Sequence, residues 1–374
     1  MHRRDFIKLT AITGTTATLA SCGSPENQII RFVPDEDLVP GVAEWKPSVC
    51  PMCHAGCGLD VRVMEAEAEV VRNGQVGLIK MNAAKKLEGH PTHPVNQGGL
   101  CPRGQAAIQI TYHPDRIVQP MKRRGGQRKS SVQSQELPNV WDHFEPVSWD
   151  EALAQVVQQL DALVDAHDQK SLMFLARPGR SRRLELVAEF LNRFGAPPPT
   201  AVELFGDQVL RKANGLAFGR EQLPTFDLAR SRFVMVFGAD LLGTWNSPVA
   251  QTAAYGAMRQ GRPGVRGKLV QVESRMSATG ACADEWVPAK PGTEGVLALG
   301  LAHVIVKRNL RSAIAAGRAG ALIDGWSSGL TDYDPEKVQQ ITGVPAKRIE
   351  RLAIEMAEML PAVAIVGGAP LAMT

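Results

Sequence analysis

The sequence predicts an α/β fold, in which a small β-rich lobe precedes Rossmann-like domains built on a parallel sheet. The first observation is a change near residue 145, after which apolar strand-like runs alternate with helical segments. Such alternation argues for a parallel sheet covered by helices. The second is residues 46–110, where short strand-like runs such as GLDVRVMEAEAEVV follow a group of cysteines. The third is the end of the chain, where a strand and a Gly-Gly turn normally lead into another helix, so we expect a C-terminally incomplete fold.

The elements of the α/β region can be assigned in order. VSWDEALAQVVQQLDALV predicts a helix, because Ser148 and Glu151 stand in a capping-box relation and apolar residues follow at helical spacing. SLMFLA predicts a buried strand, and RSRRLELVAEFLNRFG predicts a helix closed by Gly195. Further strands are predicted at RFVMVFGAD, KLVQVESR and AVAIVGG, and further helices at EGVLALGLAHVIVKRNL, DPEKVQQITG and VPAKRIERLAIEMAEM. Ligands of parallel sheets bind at the carboxyl ends of the strands.

Residues 1–22 predict a twin-arginine lipoprotein signal peptide. Arg3 and Arg4 precede a mildly apolar stretch that is too short to span a bilayer. The following LASC resembles a lipobox, in which Cys22 becomes lipidated; a small-residue cleavage site beside a bystander cysteine is the alternative. Residues 23–45 are then a tether. We therefore expect export by the twin-arginine route to the periplasmic side, with a lipid anchor on the membrane.

Composition excludes two classes of protein. The net charge of +4, from 42 basic and 38 acidic residues, is too small to indicate a nucleic-acid-binding protein. Six cysteines in 374 residues are far below the density of a disulfide-stapled domain. A chain of this length can bury its cores without such bonds.

Four of the cysteines form a candidate metal-binding set. Cys50, Cys53 and Cys57 have the spacing C-x2-C-x3-C, and Cys101 follows after a long interval. Four thiolates can hold a tetrahedral zinc ion or an iron–sulfur cube. Zinc ribbons favour two C-x2-C pairs, whereas a compact loop of three cysteines with a distant fourth suits the cube. Zinc and disulfides remain the alternatives.

At this point the sequence resembles a known family. CPMCHAGCGLDVRV and HPVNQGGLCPRGQAA are similar to the N-terminal [4Fe-4S] lobe of the prokaryotic molybdopterin oxidoreductase superfamily. The similarity continues in PVSWDEAL, FGADLLGTWNSP and VQVESRMSATGACADEWVPAKPGTEGVLAL, and covers roughly residues 45–374. It implies the molybdopterin oxidoreductase fold, with the [4Fe-4S] lobe in residues 46–110 and truncated α/β domains in residues 111–374.

The resemblance also implies roles for individual residues. The four cysteines would ligate the cluster. Arg103 would be a cation between the cluster and a pterin, where it stabilises the reduced cluster and links it to the cofactor. Molybdopterin guanine dinucleotide is the second cofactor that the family implies. Its phosphates, ribose and guanine would be contacted by Gly238, Asp240, Glu273, Arg275, Gly292, Thr293 and Glu294.

One departure from the family pattern concerns the metal ligand. Relatives supply a Cys, selenocysteine, Ser or Asp, but the matching place here falls at Phe205 or Gly206. Asp207, one residue further, is the only candidate catalytic ligand, and a helix cap is its other interpretation.

Three interpretations follow from this departure. The first is a respiratory electron-transfer subunit without molybdenum, similar to the molybdopterin-like iron–sulfur subunit of alternative complex III. Its expected partners are a ferredoxin-like iron–sulfur domain or subunit and an integral membrane quinone-binding subunit. The second is a catalytic subunit of the polysulfide or tetrathionate reductase kind, which requires Asp207 or a metal without a protein ligand. The third is the inert product of a disrupted gene.

Overall fold

The computed structural model describes residues 30–31, 43–72, 75–113, 116–124, 144–176, 181–201, 207–260, 266–312, 314 and 317–372. The predicted signal peptide, Cys22 and most of the predicted tether lie outside these residues. The described chain divides into two compact units. The first unit comprises the described residues of Met1–Met52, Gly58–His90 and Pro102–Ala152. The second comprises those of Cys53–Cys57, Pro91–Cys101 and Leu153–Thr374.

The first unit is built on an antiparallel sheet of β1 (Ile30–Arg31), β2 (Glu44–Val49), β3 (Gly58–Arg72) and β4 (Gln75–Gly89). The long strand β3 pairs with each of the others. Two short helices, α1 (Pro102–Gln105) and α2 (Ala107–Thr111), follow, and β5 (Met121–Arg123) pairs antiparallel with β6 (Phe144–Pro146). The hydroxyl oxygen of Tyr112, just after α2, accepts a 2.6 Å hydrogen bond from the amide of Ala84 in β4. This arrangement confirms the predicted β-rich lobe.

The next segment forms α3 (Trp149–Asp165), β7 (Leu175–Ala176), α4 (Arg182–Phe194), β8 (Thr200–Ala201) and α5 (Gln208–Phe218). The predicted cap of α3 is present, because the amide of Glu151 donates to Oγ of Ser148 at 3.1 Å. Gly195 closes α4 in the left-handed conformation, as predicted. The prediction of a buried strand at SLMFLA is wrong. Only two of its residues form β7, whose partner among the described strands is the equally short β8, and Leu175 stays 63% exposed.

A four-stranded parallel sheet forms the centre of the second unit. Its strands are β9 (Phe233–Phe237), β10 (Lys268–Glu273), β11 (Glu285–Pro288) and β12 (Ala362–Val366). Their order is β11-β10-β9-β12, and every neighbouring pair is parallel. Strands β9 and β10 are almost entirely buried, which explains their continuous apolar sequence. The predicted parallel α/β domain is confirmed.

Helices cover both faces of this sheet. They are α6 (Pro248–Gln260), α7 (Ala278–Cys282), α8 (Glu294–Lys307), α10 (Pro335–Thr342) and α11 (Ala346–Glu358), whereas α9 (Gly317–Leu322) packs against α5. One buried cluster joins Met235 and Val270 to Leu297, Val338 and Leu352 of α8, α10 and α11. A second joins strand residues to Leu228 and to Met258 of α6. No helix in the described part of the chain is both long and apolar enough to cross a membrane.

Candidate functional site

The four cysteines predicted to ligate a cluster are all thiols in the structure. Cys50 and Cys57 are buried, Cys53 and Cys101 are partly buried, and none of the four forms a disulfide in the structure. Cys50 belongs to the first unit, and the other three belong to the second. No three His, Cys, Asp or Glu side chains among the described residues are close enough to hold one metal ion. Four thiols are the ligand set of an iron–sulfur cube, so the chemistry of these residues suits that group.

The loop around Cys50 borders an apolar cavity of about 620 Å³ in the first unit. Val49 and Pro51, on either side of the cysteine, both line it. Other lining residues include Leu59, Ala84, Leu87, Ala107, Ile108 and Ile110. Val49 and Ile110 in its wall are 60% and 54% exposed, so the cavity is an apolar surface that is open to solvent.

A tight turn leads into Cys101. The amide of Gly99 donates to the carbonyl of Asn96 at 2.7 Å, and Nδ2 of Asn96 donates to the carbonyl of Gly99 at 2.8 Å. Asn96 is only 2% exposed. A Cβ on Gly99 would lie 2.8 Å from Cγ1 of Val249, in the first turn of α6. The segment that carries Cys101 therefore lies against the start of α6, whereas Arg103 follows in α1 and is exposed.

Gly238 lies in the turn after β9, at the carboxyl edge of the parallel sheet. Its φ is +71°, and its amide donates to the carbonyl of Val272 at 2.9 Å. A Cβ there would collide with the ring of Pro370, which follows β12. Only glycine fits at this position, because the turns after β9 and β12 are in direct contact.

Asp240 connects the same turn to α7. Its Oδ1 accepts a 2.8 Å hydrogen bond from Oγ1 of Thr279, and its Oδ2 accepts one of 3.1 Å from Oγ1 of Thr244. Oγ1 of Thr279 in turn accepts a 2.9 Å bond from the amide of Leu242. Thr279 is fully buried, so this link is shielded from solvent.

Glu273, at the end of β10, is turned into the protein. Its Oε1 accepts a 2.6 Å hydrogen bond from the amide of Ser277, just before α7, and its Oε2 accepts one of 3.0 Å from Nε2 of Gln271. Nε2 of Gln271 also donates to the carbonyl of Ala239 at 3.1 Å. Oε1 of Gln271 is buried and has no hydrogen-bond partner among the described residues. A flipped amide would place this oxygen against two acceptors, so the orientation is fixed by its surroundings.

The remaining predicted residues lie at the same edge, because the strands they follow are parallel neighbours. Arg275 is exposed and makes no hydrogen bond or ion pair with another described residue. Gly292 has a φ of +78°, and Oγ1 of Thr293 donates to the carbonyl of Lys290 at 2.7 Å. Glu294 is buried at the first position of α8.

Asp207, the candidate metal ligand, immediately precedes α5. Its carbonyl accepts a 2.8 Å hydrogen bond from the amide of Arg211, but its side chain makes no capping bond to the helix. The side-chain cap that was its other interpretation is therefore not observed. Phe205 and Gly206, where the family's ligand would fall, lie outside the described residues.

The fit of a pterin dinucleotide to this edge is incomplete. The resemblance assigns the carboxylate after β10 to a ribose, but both oxygens of Glu273 accept hydrogen bonds from the chain itself. Asp240, in the turn that was predicted to approach the phosphates, is only partly buried. Arg275 and Lys290 are exposed cations at this edge and have the charge that an anion requires. The roles predicted for these residues toward a nucleotide thus stay predictions, and the carboxylate that this edge turns away from a ribose is that of Glu273, which is 7% exposed.

Sequence patterns missed several residues that shape the site. Thr279 and Ser277 belong to SATGAC, where a serine before a small-residue stretch signals a helix N-cap. Gln271 is the one amide within the apolar run KLVQVE, and an isolated polar residue in a buried strand signals a specific hydrogen bond. Asn96 gave no signal, because an asparagine close to glycines is ordinary in any turn.

The fold and site together define a class of protein. A β-rich region with the cysteines is followed by a parallel sheet. At the carboxyl edge of this sheet, the turns after β9 and β12 are in direct contact. Residues 43–113 match the molybdopterin oxidoreductase Fe4S4 domain, and residues 116–371 match the molybdopterin oxidoreductase family. The chain belongs to the molybdopterin oxidoreductase family, which confirms the resemblance seen in its motifs. Membership supports a [4Fe-4S] cluster and allows a molybdopterin cofactor.

Several characterised proteins are similar to this chain. The molybdopterin-containing subunit ArrA of the arsenate respiratory reductase of Shewanella sp. (strain ANA-3) is 27% identical over 98% of this chain and 42% of its own length. The menaquinone reductase, molybdopterin-binding-like subunit, of Nitratidesulfovibrio vulgaris is 27% identical over 98% of this chain and 48% of its own. The acetylene hydratase of Pelobacter acetylenicus shares the fold, with a TM-score of 0.58 and 21% identity over 87% of this chain and 40% of its own. The chain thus spans less than half the length of these relatives.

Proposed function

We propose that this chain is a subunit of a membrane-associated respiratory oxidoreductase that carries one [4Fe-4S] cluster and transfers electrons within a quinol-linked complex. The observation that carries the proposal is the set Cys50, Cys53, Cys57 and Cys101, all thiols within the Fe4S4 domain match. The similarity to a molybdopterin-binding-like subunit of a menaquinone reductase supports the link to quinol.

The cluster supplies one-electron redox chemistry when it is bound. The chain's own part is to hold four thiolates in partly or fully buried positions and to border Cys50 with an apolar cavity. The exposed cation Arg103, two residues after Cys101, would favour the more negative, reduced state of a nearby cluster. These residues position and tune an electron carrier, which needs no metal ligand at residues 205–207.

Export and partners are part of this proposal. Arg3, Arg4 and Cys22 support a lipoprotein that leaves the cytoplasm folded by the twin-arginine route and is held on the periplasmic side of a membrane. A ferredoxin-like iron–sulfur domain or subunit and an integral membrane quinone-binding subunit are the partners proposed for the electron path.

A catalytic subunit of the polysulfide or tetrathionate reductase kind is the second candidate. It is favoured by the similarity to named reductase subunits, such as ArrA and the dimethyl sulfoxide reductase DmsA of Escherichia coli, which is 26% identical over 99% of this chain and 46% of its own length. It requires a pterin-bound metal with Asp207 as ligand or with none from the protein. The inward-turned carboxylate of Glu273, which is 7% exposed, argues against a nucleotide held through that residue.

Metal and pterin analysis of the purified folded chain tests the proposal. We expect about four irons per chain with no molybdenum, tungsten or pterin. One molybdenum per chain would favour the catalytic candidate and direct attention to Asp207. A chain that binds no iron would overturn the cluster assignment.

A further inference from the structure

We propose that the turn from Asn96 to Gly99, held against Val249, is a positioning element for Cys101. The inference rests on the cluster of the proposed function. It assigns a positioning role to Asn96 and Gly99, which act through the cysteine that follows them, and Val249 is the neighbour that limits the space at Gly99.

The turn is held from two sides. Asn96 and Gly99 exchange two hydrogen bonds, of 2.7 and 2.8 Å, so the backbone two residues before Cys101 is fixed to a buried side chain. On the other side, the missing side chain of Gly99 lets the backbone approach Cγ1 of Val249 closely enough that an added Cβ would lie 2.8 Å away. Real Cβ atoms do not come so close, so the turn, the side chain of Val249 or the start of α6 would have to move.

The contact also links Cys101 to the carboxyl edge of the parallel sheet. Val249 lies in the first turn of α6, and the chain reaches this helix directly from the turn of Asp240, whose carbonyl accepts from the amides of Thr244 and Trp245. Because Cys101 follows Gly99 by two residues, a displacement of the Gly99 backbone would also move Cys101. Residues that orient a metal ligand typically change metal affinity by about 10- to 100-fold when altered.

Gly99→Ala is the variant that tests this role. We expect its cluster to be lost to an iron chelator about tenfold faster than that of the wild-type chain. The electron paramagnetic resonance spectrum of the reduced cluster should also change, which general destabilisation of the fold would not produce. Val249→Ala alone should stay close to wild type, because Val249 is only partly buried.

The double variant Gly99→Ala/Val249→Ala separates positioning from misfolding. It removes Cγ1 of Val249 and leaves the new Cβ 3.1 Å from the carbonyl of Asn96, a distance that a small shift relieves. We expect it to regain the wild-type spectrum and chelation rate. Gly256→Ala is the matched control, because it adds the same methyl group to α6 with no atom within 4 Å.

A Gly99→Ala chain with wild-type spectrum and chelation rate would overturn the inference. So would a defect that the double variant does not relieve, because the contact with Val249 would then not be its cause. A wild-type chain without iron would overturn the proposed function as well, and this is measured before any variant is compared.

Discussion

At the scale of single residues, buried side chains stabilise the carboxyl edge of the sheet by hydrogen bonds to neighbouring turns and helices. The hydroxyl of Thr279 is an example, since it donates to Asp240 and accepts from the amide of Leu242. One buried hydroxyl therefore fixes the turn after β9 to the helix after β10. A buried polar group is stabilising only when its partners are present.

Replacing Thr279 by valine keeps the shape of the side chain but removes both hydrogen bonds. We expect the free energy of unfolding to fall by about 1–3 kcal/mol, because the amide of Leu242 loses its partner and Oδ1 of Asp240 keeps only the 3.3 Å bond from the amide of residue 279. Urea unfolding followed by tryptophan fluorescence measures this, since Trp245 lies in the affected turn. Thr279→Ser keeps the hydroxyl and should lose only about 1 kcal/mol from the missing methyl group. Equal losses in the two variants would contradict the role given to the hydroxyl.

The same residues show what sequence can and cannot predict about a site. Cysteine spacing and strand-end motifs indicated which residues would lie at the two candidate sites, because those signals are local. The direction in which Glu273 turns was not predictable, since it depends on Gln271 and Ser277 together. Whether a carboxylate binds a ligand or a neighbouring amide is a competition that only the folded arrangement decides.

At the scale of elements, ion pairs stabilise the amino edge of the parallel sheet, opposite the candidate site. Glu285, at the start of β11, accepts hydrogen bonds from Lys268 of β10 at 3.1 Å and from Arg348 and Arg351 of α11 at 2.8 and 2.5 Å. Burial alone would raise the pKa of Glu285, but these three cations outweigh it and lower the pKa from 4.5 to about 2. Glu285 thus connects two strands and a helix through one carboxylate.

This depressed pKa predicts a pH dependence of stability. Below pH 4.5 the unfolded chain takes up a proton at Glu285 while the folded chain does not until about pH 2. The contribution of Glu285 is therefore complete above pH 4.5 and is lost progressively as the pH falls toward 2. Urea midpoints measured from pH 6 to pH 3 should show this decline in the wild-type chain.

Glu285→Gln should lower stability at pH 6 and flatten the decline. Glu189→Gln is the control, because Glu189 pairs with Arg193 on the exposed surface of α4 and such pairs contribute little. If Glu285→Gln and the wild-type chain decline in parallel, Glu285 does not carry the pH dependence.

Element prediction succeeded where burial supports the local signal. The apolar runs of β9, β10 and β12 and the periodic helices α8 and α11 were predicted, because each packs on the central sheet and its pattern matches the face it buries. SLMFLA carried a similar signal but formed only the short β7. A strand needs paired neighbours, and among the described strands this run has only β8 beside it.

At the scale of the whole molecule, apolar surface is distributed unevenly. The central sheet buries its side chains on both faces, whereas α3 buries none. Five apolar residues of α3, spaced to share one helical face, are exposed by 43–67%: Trp149, Leu153, Val156, Val157 and Val164. Large exposed apolar patches on soluble proteins mark interaction surfaces or sites of self-association.

Lysine substitutions on this face test whether α3 is exposed in solution. We expect Leu153→Lys and Val156→Lys to change the free energy of unfolding by no more than about 0.5 kcal/mol, because neither removes a buried contact. Both should reduce binding of an apolar dye and, in sedimentation velocity, shift the chain toward the monomer. Leu191→Ala on α4 is the comparison, since this side chain is 1% exposed and its truncation should cost about 2–5 kcal/mol. A loss from Leu153→Lys as large as that from Leu191→Ala would mean that the face of α3 is covered in the isolated protein.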